Sequence, residues 1–376
     1  MRVAGIMSGT SLDGIDVAIV DIDGRRIRTV AFHSTPYPES VRKAILGVSN
    51  TTTTTGQIAR LHFRLGQLYA RVVQETIRRG RVRSGTVELV GCHGQTIYHQ
   101  GDREPFLGKP VAATMQIGEA SVIAEELGLP VVSDFRTRDM AAGGKGAPLV
   151  PYLDYWLFRH ARRGRVALNI GGIANVTAIP PGGRADEVLA FDTGPGNMVM
   201  DALVAELTRG RQHFDRNGSI AASGKVDRVL LDSLLGESYY RRRPPKTAGR
   251  EQYGAEFIAR LKRARLPLRD LIATATALTA ATIAGGVERF VMPWMPVHDL
   301  IASGGGVRNT TLMGYLQAFL PDVRIARSDE FGIDADAKEA VAFAVMAYET
   351  FRKRPSNVPS ATGARRPVVL GKITPA

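Results

Sequence analysis

The stretch from Ile6 to Val20 reads IMSGTSLDGIDVAIV, an apolar strand, a tight loop of small and polar residues, and a second apolar strand. Small residues in such a loop let backbone N–H groups approach an anion closely. Thr10 and Ser11 add hydroxyl donors, and Asp13 can hold a hydrated Mg²⁺. The loop therefore predicts a site for the phosphates of a nucleotide. The alternative is an ordinary hairpin turn, which the dipeptide at 13–14 favours, with Asp16 simply starting the second strand.

A three-strand pattern surrounds this loop and recurs in the second half of the chain, with residues 171–175 as the matching loop. Apolar strands are predicted at 2–7, 15–21, 26–33, 166–170, 176–179 and 188–192. Helix and strand units follow both times. This duplicated βββαβα order is typical of the actin-like ATPase and sugar kinase superfamily, so we predict an α/β, ribonuclease H-like fold of two domains around an ATP cleft. The expected domains are residues 1–132 with 353–376, and residues 133–352.

The other predicted elements follow apolar periodicity and glycine or proline stops. Helices are predicted at 39–46, 118–127, 197–208, 224–235, 253–263, 271–289, 309–319 and 336–352. A further helix is predicted to follow the threonines at 51–55 and to end at Gly80. Further strands are predicted at 86–90, 131–134, 300–303, 323–326 and 368–370. Residues 136–148 are interpreted as a long glycine-rich loop.

Composition limits the class of protein. For 376 residues two domains are expected, and 44% apolar with 23% charged residues is ordinary for a folded soluble protein. The single cysteine, Cys92, fits a reducing compartment and excludes an internal disulfide. Acidic residues interrupt the first apolar stretch, so no signal peptide is predicted, and no apolar run approaches a membrane span. We therefore expect a cytoplasmic protein without a membrane partner.

The net charge of +13 raises the question of nucleic-acid binding. Arginines cluster at 78–83, 159–165 and 241–243, without interleaved aromatic residues or a recognisable binding module. We interpret these clusters as solvated faces that attract anionic substrates in general, and we expect no nucleic-acid partner.

Segments along the whole chain, in order, resemble the anhydro-N-acetylmuramic acid kinase family. They are GIMSGTSLDGID (5–16), HGQT with His99 (93–99), QIGE (116–119), SDFR with Asp139 (133–139), GGKGAPLVP (143–151), NIGGIAN (169–175), FDTGPGN (191–197), DAKEA (336–340) and TGA (362–364). Glu119 stands where Asp is expected as often, which keeps the carboxylate and changes only its reach.

The resemblance implies that ATP, water and 1,6-anhydro-N-acetylmuramic acid give ADP and N-acetylmuramic acid 6-phosphate, in peptidoglycan recycling. It also implies ATP and Mg²⁺ as cofactors, a homodimer, and a catalytic base at Asp192. The residues point the same way, because Asp192 ends an apolar strand, where catalytic groups emerge in such sheets. The alternative is a turn aspartate that bonds its own backbone.

Nucleotide contacts are expected in three loops, with Mg²⁺ near Asp13 through water. The residues are Gly9, Thr10, Ser11, Leu12, Asp13, Gly14 and Asp16 in the first loop, Gly171, Gly172 and Asn175 in the second, and Gly304, Gly305, Gly306 and Asn309 on the adenosine side. A single glycine could equally mark an element boundary. Asn197 is expected to cap the helix that follows it.

Substrate contacts are expected from seven residues: His93, Gln116, Glu119, Arg136, Arg138, Asp139 and Glu339. One of the two arginines would pair with the lactyl carboxylate of the sugar, and the sequence leaves open which. Glu339 could instead be an exposed helix residue in an i,i+4 pair. His93 and His99 lack neighbours at metal-ligand spacing, so His93 is interpreted as a hydrogen-bonding residue rather than a metal ligand or general base.

Two other functions compete with this prediction. One is a kinase of the same fold that phosphorylates a free sugar hydroxyl, for which N-acetylmuramic acid would be the diagnostic substrate. The other is a non-catalytic actin-like or nucleic-acid-associated protein. The segment around Asp192 argues against the second, because a binding module does not need it.

Overall fold

A computed structural model describes the chain except for Thr10, Ser11, Asp13, Arg25, Ser84, Arg250, Glu251, Ile333 and Ala335. It divides into two compact units. Unit 1 comprises Met1–Trp156 and Ala337–Ala376, and unit 2 comprises Leu157–Asp336.

The strands are β1 (Arg2–Ser8), β2 (Gly14–Asp23), β3 (Arg26–Pro36), β4 (Leu89–Phe106), β5 (Lys109–Ile117), β6 (Val131–Ser133), β7 (Arg165–Ile170), β8 (Ile173–Ile179), β9 (Leu189–Pro195), β10 (Asp299–Ser303), β11 (Arg324–Arg327) and β12 (Lys372–Thr374).

The α-helices are α1 (Glu39–Leu46), α2 (Thr55–Arg79), α3 (Ala120–Leu127), α4 (Phe135–Ala141), α5 (Pro151–Phe158), α6 (Met198–Leu207), α7 (Ser219–Ser223), α8 (Arg228–Leu235), α9 (Ser238–Arg241), α10 (Ala255–Lys262), α11 (Leu268–Phe290), α12 (Thr310–Phe319), α13 (Lys338–Phe351) and α14 (Pro359–Thr362).

The sheets of the two units share one topology. In unit 1 the order is β12-β6-β4-β1-β2-β3, with β1, β2 and β3 antiparallel and with β4 and β6 parallel to β1. In unit 2 the order is β11-β10-β7-β8-β9, again with an antiparallel meander and two parallel strands beside its first strand. Each unit is therefore ribonuclease H-like, which confirms the predicted duplicated α/β fold.

Helix α13 packs directly on the sheet of unit 1 because glycines face it. A Cβ atom on Gly5 of β1 would lie 2.0 Å from the carbonyl oxygen of Ala340, and one on Gly91 of β4 would lie 2.3 Å from that of Phe343. This close packing places α13 in unit 1. The predicted domains assign residues 133–156 and 337–352 to the second domain, whereas the compact units assign both segments to unit 1.

Helix α11 forms the centre of a core cluster in unit 2. Within the described residues it alone has the length and composition of a membrane span, with a mean hydropathy of 1.4 over its most apolar window. Because 83% of that window is buried, α11 reads as the core helix of a folded unit.

Three sequence predictions differ from the structure. Residues 89–117 form the long hairpin of β4 and β5, whose outer part carries prolines, charges and irregular register and so lacks a strand pattern. Residues 135–141, predicted as loop, form α4. The last strand lies at 372–374 rather than 368–370, because the backbone of Val368 bonds to Asn357 and Ser356 instead of to a ladder.

Several arginines of the basic clusters are neutralised inside their own unit. Arg163 and Arg165 both donate to the fully buried carboxylate of Asp299, at 2.7–3.0 Å. Arg79 lies 2.5 Å from Glu75 on the surface of α2. This pairing supports the interpretation of the clusters as structural and solvated charge.

Candidate functional site

The first loop of unit 1 follows β1 and is held by a buried chain of hydrogen bonds. The Ser8 hydroxyl donates to Gln95 at 2.5 Å, and therefore accepts from the Tyr37 hydroxyl at 2.6 Å. The Gln95 amide in turn donates to the carbonyl of Gly9 at 3.3 Å. Leu12 has a φ of +60°, which is uncommon for a residue with a side chain.

Five more residues at 10–16 were expected to contact the nucleotide, and the structure describes two of them, Gly14 and Asp16. Thr10, Ser11 and Asp13 lie outside the described residues. Gly14 approaches the neighbouring strand so closely that a Cβ there would lie 2.3 Å from the carbonyl oxygen of Thr35. Asp16 lies on β2, where it raises the pKa of Glu339.

A half-buried arginine and a buried histidine lie beside the 143–146 loop of unit 1. Arg136 on α4 donates through Nε to Nε2 of His93 at 3.0 Å, and through Nη1 to the carbonyl of Gly146 at 2.7 Å. Because Nε2 accepts, the proton of the imidazole must be on Nδ1. Burial, and then the charge of Arg136, hold the pKa of His93 well below its ordinary value. His93 is therefore a neutral acceptor that orients a cation.

The two candidate arginines have different environments. Arg136 is half-buried, and burial lowers its pKa to about 10 despite the opposing charges of Glu339 and Asp139. Arg138 is exposed, and its side chain makes no hydrogen bond or ion pair within the described part of the chain. Only Arg136 is held in a fixed orientation.

Glu339 begins the first turn of α13 and is open to solvent. Desolvation by the surrounding protein, followed by the carboxylate of Asp16, raises its pKa, whereas Arg136 and Lys338 act in the opposite direction. The i,i+4 alternative has no cation to use, because the residue four positions on is Phe343. Glu339 is thus part of an electrostatic group with Asp16 and Arg136.

Two other expected substrate residues make internal bonds. Gln116 donates to the hydroxyls of Thr96 and Thr114, at 3.2 and 2.7 Å. Glu119 caps α3 through the N–H of Ser121 at 2.8 Å and lies 2.8 Å from His62. The hydrogen bonds to Ser121 and the charge of His62 outweigh burial and lower its pKa.

The expected role of Asp139 needs correction. Its carboxylate is fully buried and accepts from Gly146 N–H at 2.9 Å, Asn357 Nδ2 at 2.8 Å and the Thr362 hydroxyl at 2.7 Å. With no exposed oxygen it cannot touch a substrate. Asp139 instead fixes the 143–146 loop, whose Gly146 carbonyl receives Arg136.

In unit 2, the glycine loops after β7 and β10 pack against each other. The carbonyls of Gly171 and Gly172 accept from the N–H groups of Asn197 and Gly196, at 2.8 and 2.9 Å. Gly306 approaches so closely that a Cβ would lie 2.3 Å from Ile170 Cγ2, and Gly304 has a φ of +84°. Glycine is therefore required at these positions, because a side chain would prevent the close approach of the three backbone segments.

The asparagines beside these loops have distinct roles. Asn309 caps α12 by accepting from the N–H of Leu312 at 2.9 Å. Asn175 lies opposite Asp192 in the β8–β9 register. Asn197 occupies the N-cap position of α6 as predicted, but its side chain donates to the carbonyl of Ile170 at 3.3 Å and makes no cap bond.

Asp192 lies on β9 and is held by a later segment of unit 2. Its Oδ2 accepts from the N–H of Ala248 at 2.8 Å, and its own N–H donates to the carbonyl of Lys246 at 3.0 Å. Burial raises the pKa of this half-buried carboxyl to about 6, although the Ala248 N–H and the Lys246 charge oppose the increase. A carboxylate of this pKa is ionised at neutral pH and is a stronger base than an exposed aspartate.

A cavity of about 410 Å³ lies beside the glycine loops in unit 2. Its lining includes Asn197, Asp201, Asp215, Gly305, Gly306 and Asn309. Burial, and then the charge of Asp215, raise the pKa of Asp201 to about 7. Asp215 accepts from the N–H groups of Ile220 and Ala221, both at 2.9 Å, so Asp201 is the carboxyl in this wall that remains available to a ligand.

The described residues contain no group of three or more His, Cys, Asp or Glu side chains arranged to hold a metal ion. The expected magnesium residue, Asp13, lies outside those residues. The magnesium site therefore stays a prediction.

Two ribonuclease H-like units with glycine-rich loops after their first strands define the architecture of actin-like ATPases and sugar kinases. All of residues 1–376 match the family model of anhydro-N-acetylmuramic acid kinase, and the chain belongs to this family. It is therefore a kinase.

Similar proteins agree with this assignment. The chain is 44% identical over 99% of its length to the anhydro-N-acetylmuramic acid kinase of Caldanaerobacter subterraneus, of which it covers 96%. It is 42% identical over its whole length to that of a Bacillus cereus strain, of which it covers 99%. Among solved structures, an activator of 2-hydroxyisocaproyl-CoA dehydratase from Clostridium difficile, with bound ADPNP, aligns over 94% of this chain and 96% of its own, with a TM-score of 0.47 and 14% identity. A likeness of that size supports no statement about function.

Two features of the site were missed from the sequence. The segment from Tyr239 to Ala248 that holds Asp192 lies partly in the basic run at 241–243, which reads as solvated surface. Asp201 lies within an apolar helix and has no motif around it. Neither the segment nor Asp201 has a recognisable sequence motif, because both act through contacts with residues distant in sequence.

Proposed function

We propose that this kinase uses ATP and water to convert 1,6-anhydro-N-acetylmuramic acid to N-acetylmuramic acid 6-phosphate. In the anhydro sugar one oxygen bridges C1 and C6. Water attacks C1, the C1–O bond breaks, and the freed O6 takes the γ-phosphoryl group of ATP while ADP leaves. The family to which the chain belongs supports this substrate.

The chemistry needs one base and no protein acid. In an inverting glycosidase one carboxylate activates water and another protonates the leaving oxygen. Here the phosphoryl group takes the place of the proton that the second carboxylate would give to the leaving oxygen, because O6 leaves C1 as it attacks phosphorus. The proton lost by water must be accepted by the protein, and the phosphates must be held in position.

The observation that carries the proposal is the environment of Asp192. Ala248 N–H occupies Oδ2, and no hydrogen bond to Oδ1 is found within the described residues. Oδ1 is thus available to take the proton from the attacking water. Burial that raises the pKa to about 6 matches a base working near neutral pH.

We infer that Arg136, rather than Arg138, pairs with the lactyl carboxylate. Two of its guanidinium nitrogens are fixed by His93 and Gly146, which orients the remaining nitrogen at little entropic cost. Asp16 and Glu339, on the same unit, would then accept hydrogen bonds from the sugar hydroxyls.

For ATP, the proposed phosphate contacts are the loop at 9–14 and the backbone of Gly171 and Gly172. The cavity beside Gly305 and Gly306 is of a size to take a nucleoside, and Asp201 would accept hydrogen bonds from the ribose hydroxyls. Magnesium, when bound near Asp13, would neutralise the charge of the β- and γ-phosphates. We further propose a cytoplasmic homodimer that acts in peptidoglycan recycling.

Product formed in ¹⁸O-water tests this function. We expect label at C1 of the phosphorylated sugar and none in the phosphoryl group, because water attacks carbon. Asp192→Asn should abolish turnover while an ATP analogue still binds, as measured by calorimetry. Unlabelled product, or brisk phosphorylation of N-acetylmuramic acid itself, would instead identify a kinase acting on a free hydroxyl.

A further inference from the structure

We propose that Lys246 is a positioning residue for the base: its ammonium group, caged by three aromatic rings, anchors the segment whose hydrogen bonds hold Asp192 and places a positive charge near that residue. The proposal rests on the role of Asp192 as base given above.

The lysine occupies an aromatic cage in unit 2. Its Nζ lies 4.7 Å from the ring centroid of Tyr239, 5.0 Å from that of Phe290 and 5.7 Å from that of Phe191. The side chain is only 3% exposed, and Nζ donates to the carbonyl of Tyr239 at 3.2 Å. Lysine is almost never buried to this degree unless its charge is compensated, and three ring faces provide that compensation.

The same segment clasps Asp192 on its main chain. Strand β9 is the edge strand of its sheet, so one side of it has no neighbouring strand within the described residues. The carbonyl of Lys246 fills that side by accepting the Asp192 N–H at 3.0 Å, and the Tyr239 hydroxyl donates to the Asp192 carbonyl at 2.9 Å. Since Ala248 N–H also holds Oδ2 at 2.8 Å, the segment from Tyr239 to Ala248 makes three hydrogen bonds to Asp192, one of them through the backbone carbonyl of Lys246.

The charges around this pair favour an ionised aspartate. Lys246 lowers the pKa of Asp192 against the effect of burial. Burial, and then Arg289 and Arg242, lower the pKa of Lys246 to about 8, which Asp192 opposes, so the lysine is cationic at neutral pH. The other titratable groups nearby are the phenols of Tyr239, Tyr240 and Tyr253, whose pKa values burial raises, and Glu237 beyond them.

The experiment measures kcat/KM against pH for Lys246→Met, which fills the cage without a charge. We expect the acid limb of the profile to move upward by roughly one pH unit, because the carboxylate loses a nearby cation. The two profiles should converge above pH 8, because Asp192 is ionised there in both proteins. Lys262→Met is the matched control, since Lys262 pairs with Glu206 at the surface of the same unit, and its limb should not move.

Three more variants separate charge from structure. Lys246→Arg keeps the cation and should restore the wild-type limb. Lys246→Gln keeps a donor for the Tyr239 carbonyl, and replaces the methionine variant should that one fail to fold. Tyr239→Phe keeps the ring but removes the bond to the Asp192 carbonyl, so kcat should fall several-fold with the acid limb in place.

An unmoved limb in both neutral variants, with Asp192→Asn inactive, overturns the role of Lys246 and leaves the base intact. An active Asp192→Asn variant overturns the base itself. Equal loss of activity at every pH in the neutral variants marks a purely structural lysine, which also overturns the proposal.

Discussion

The Nε atom of Arg136 lies 3.0 Å from Nε2 of His93, so a neutral, buried histidine holds a cation in place. Histidine is usually considered as an acid, a base or a metal ligand. Here its low pKa makes it a permanent acceptor, because protonation would place a second positive charge against the guanidinium.

The first prediction compares the two candidate arginines. Arg136→Lys should raise KM for the anhydro sugar by about tenfold or more, because a lysine ammonium cannot reproduce the rigid geometry that bonds to His93 and Gly146 and directs a third nitrogen to the carboxylate. Arg138→Lys is the control and should leave KM within about twofold. Steady-state kinetics at saturating ATP measures both, and equal effects would remove the distinction drawn from His93 and Gly146.

The second prediction concerns the pH dependence of the wild-type protein. Asp192 must be ionised to take a proton, and its pKa is raised to about 6. Activity should therefore be complete above that value and fall as pH decreases through it, by about tenfold per unit. A kcat/KM profile flat from pH 5 to 8 would contradict the assignment of the base.

The third prediction concerns the effect of the raised pKa of Asp192 on the free energy of unfolding. A carboxyl whose pKa is higher in the folded than in the unfolded state stabilises the fold less when it is ionised. The free energy of unfolding therefore decreases as pH rises from about 4 to 6 and stays lower at higher pH. Asp192→Asn keeps an acceptor for Ala248 N–H and loses the charge. It should raise the free energy of unfolding by about 1–2 kcal/mol at pH 7. Denaturant unfolding at pH 7 and pH 4.5 checks this, and an equal difference at both pH values would exclude the mechanism.

The fourth prediction concerns the nucleoside cavity. At pH 8, where Asp201 is mostly ionised, Asp201→Asn should weaken ATP binding by about three- to tenfold, since a carboxylate accepts from ribose hydroxyls more strongly than an amide does. The KM for the sugar should not change. Glu206→Gln, on the exposed side of the same helix, is the control. Unaltered ATP affinity in Asp201→Asn, measured by calorimetry, would remove the ribose contact.

The fifth prediction tests the contact between β1 and α13. Gly5→Ala should lower the free energy of unfolding by about 1–3 kcal/mol, because the added methyl group meets the backbone of Ala340. Gly314→Ala, on an exposed face of α12 with open space around it, should raise it by up to ~1 kcal/mol. Thermal unfolding of the two variants should shift in opposite directions.

Much of the fold could be predicted from the sequence, because apolar alternation marks the meanders of both units and small-residue loops mark where they turn. The hairpin of β4 and β5 could not, since its outer strands are solvated on both faces and carry no alternation. In the site, Asp192 was found from its place at a strand end and from family resemblance. The cage of Lys246 could not be found, because a lysine next to three arginines looks exposed until distant aromatic residues cover it.

The glycines of β1 and β4 also constrain the order in which the chain is completed. The helix that covers them comes from residues 338–351, far downstream of β1 and β4 in the chain. While the ribosome produces the polypeptide, the sheet of unit 1 must wait with one face bare through the translation of nearly two hundred further residues. Unit 2, contiguous from 157 to 336, has all its residues before that helix emerges. The nascent protein therefore carries an unfinished apolar surface until that helix emerges, and chaperones are the cell's means of shielding such a surface.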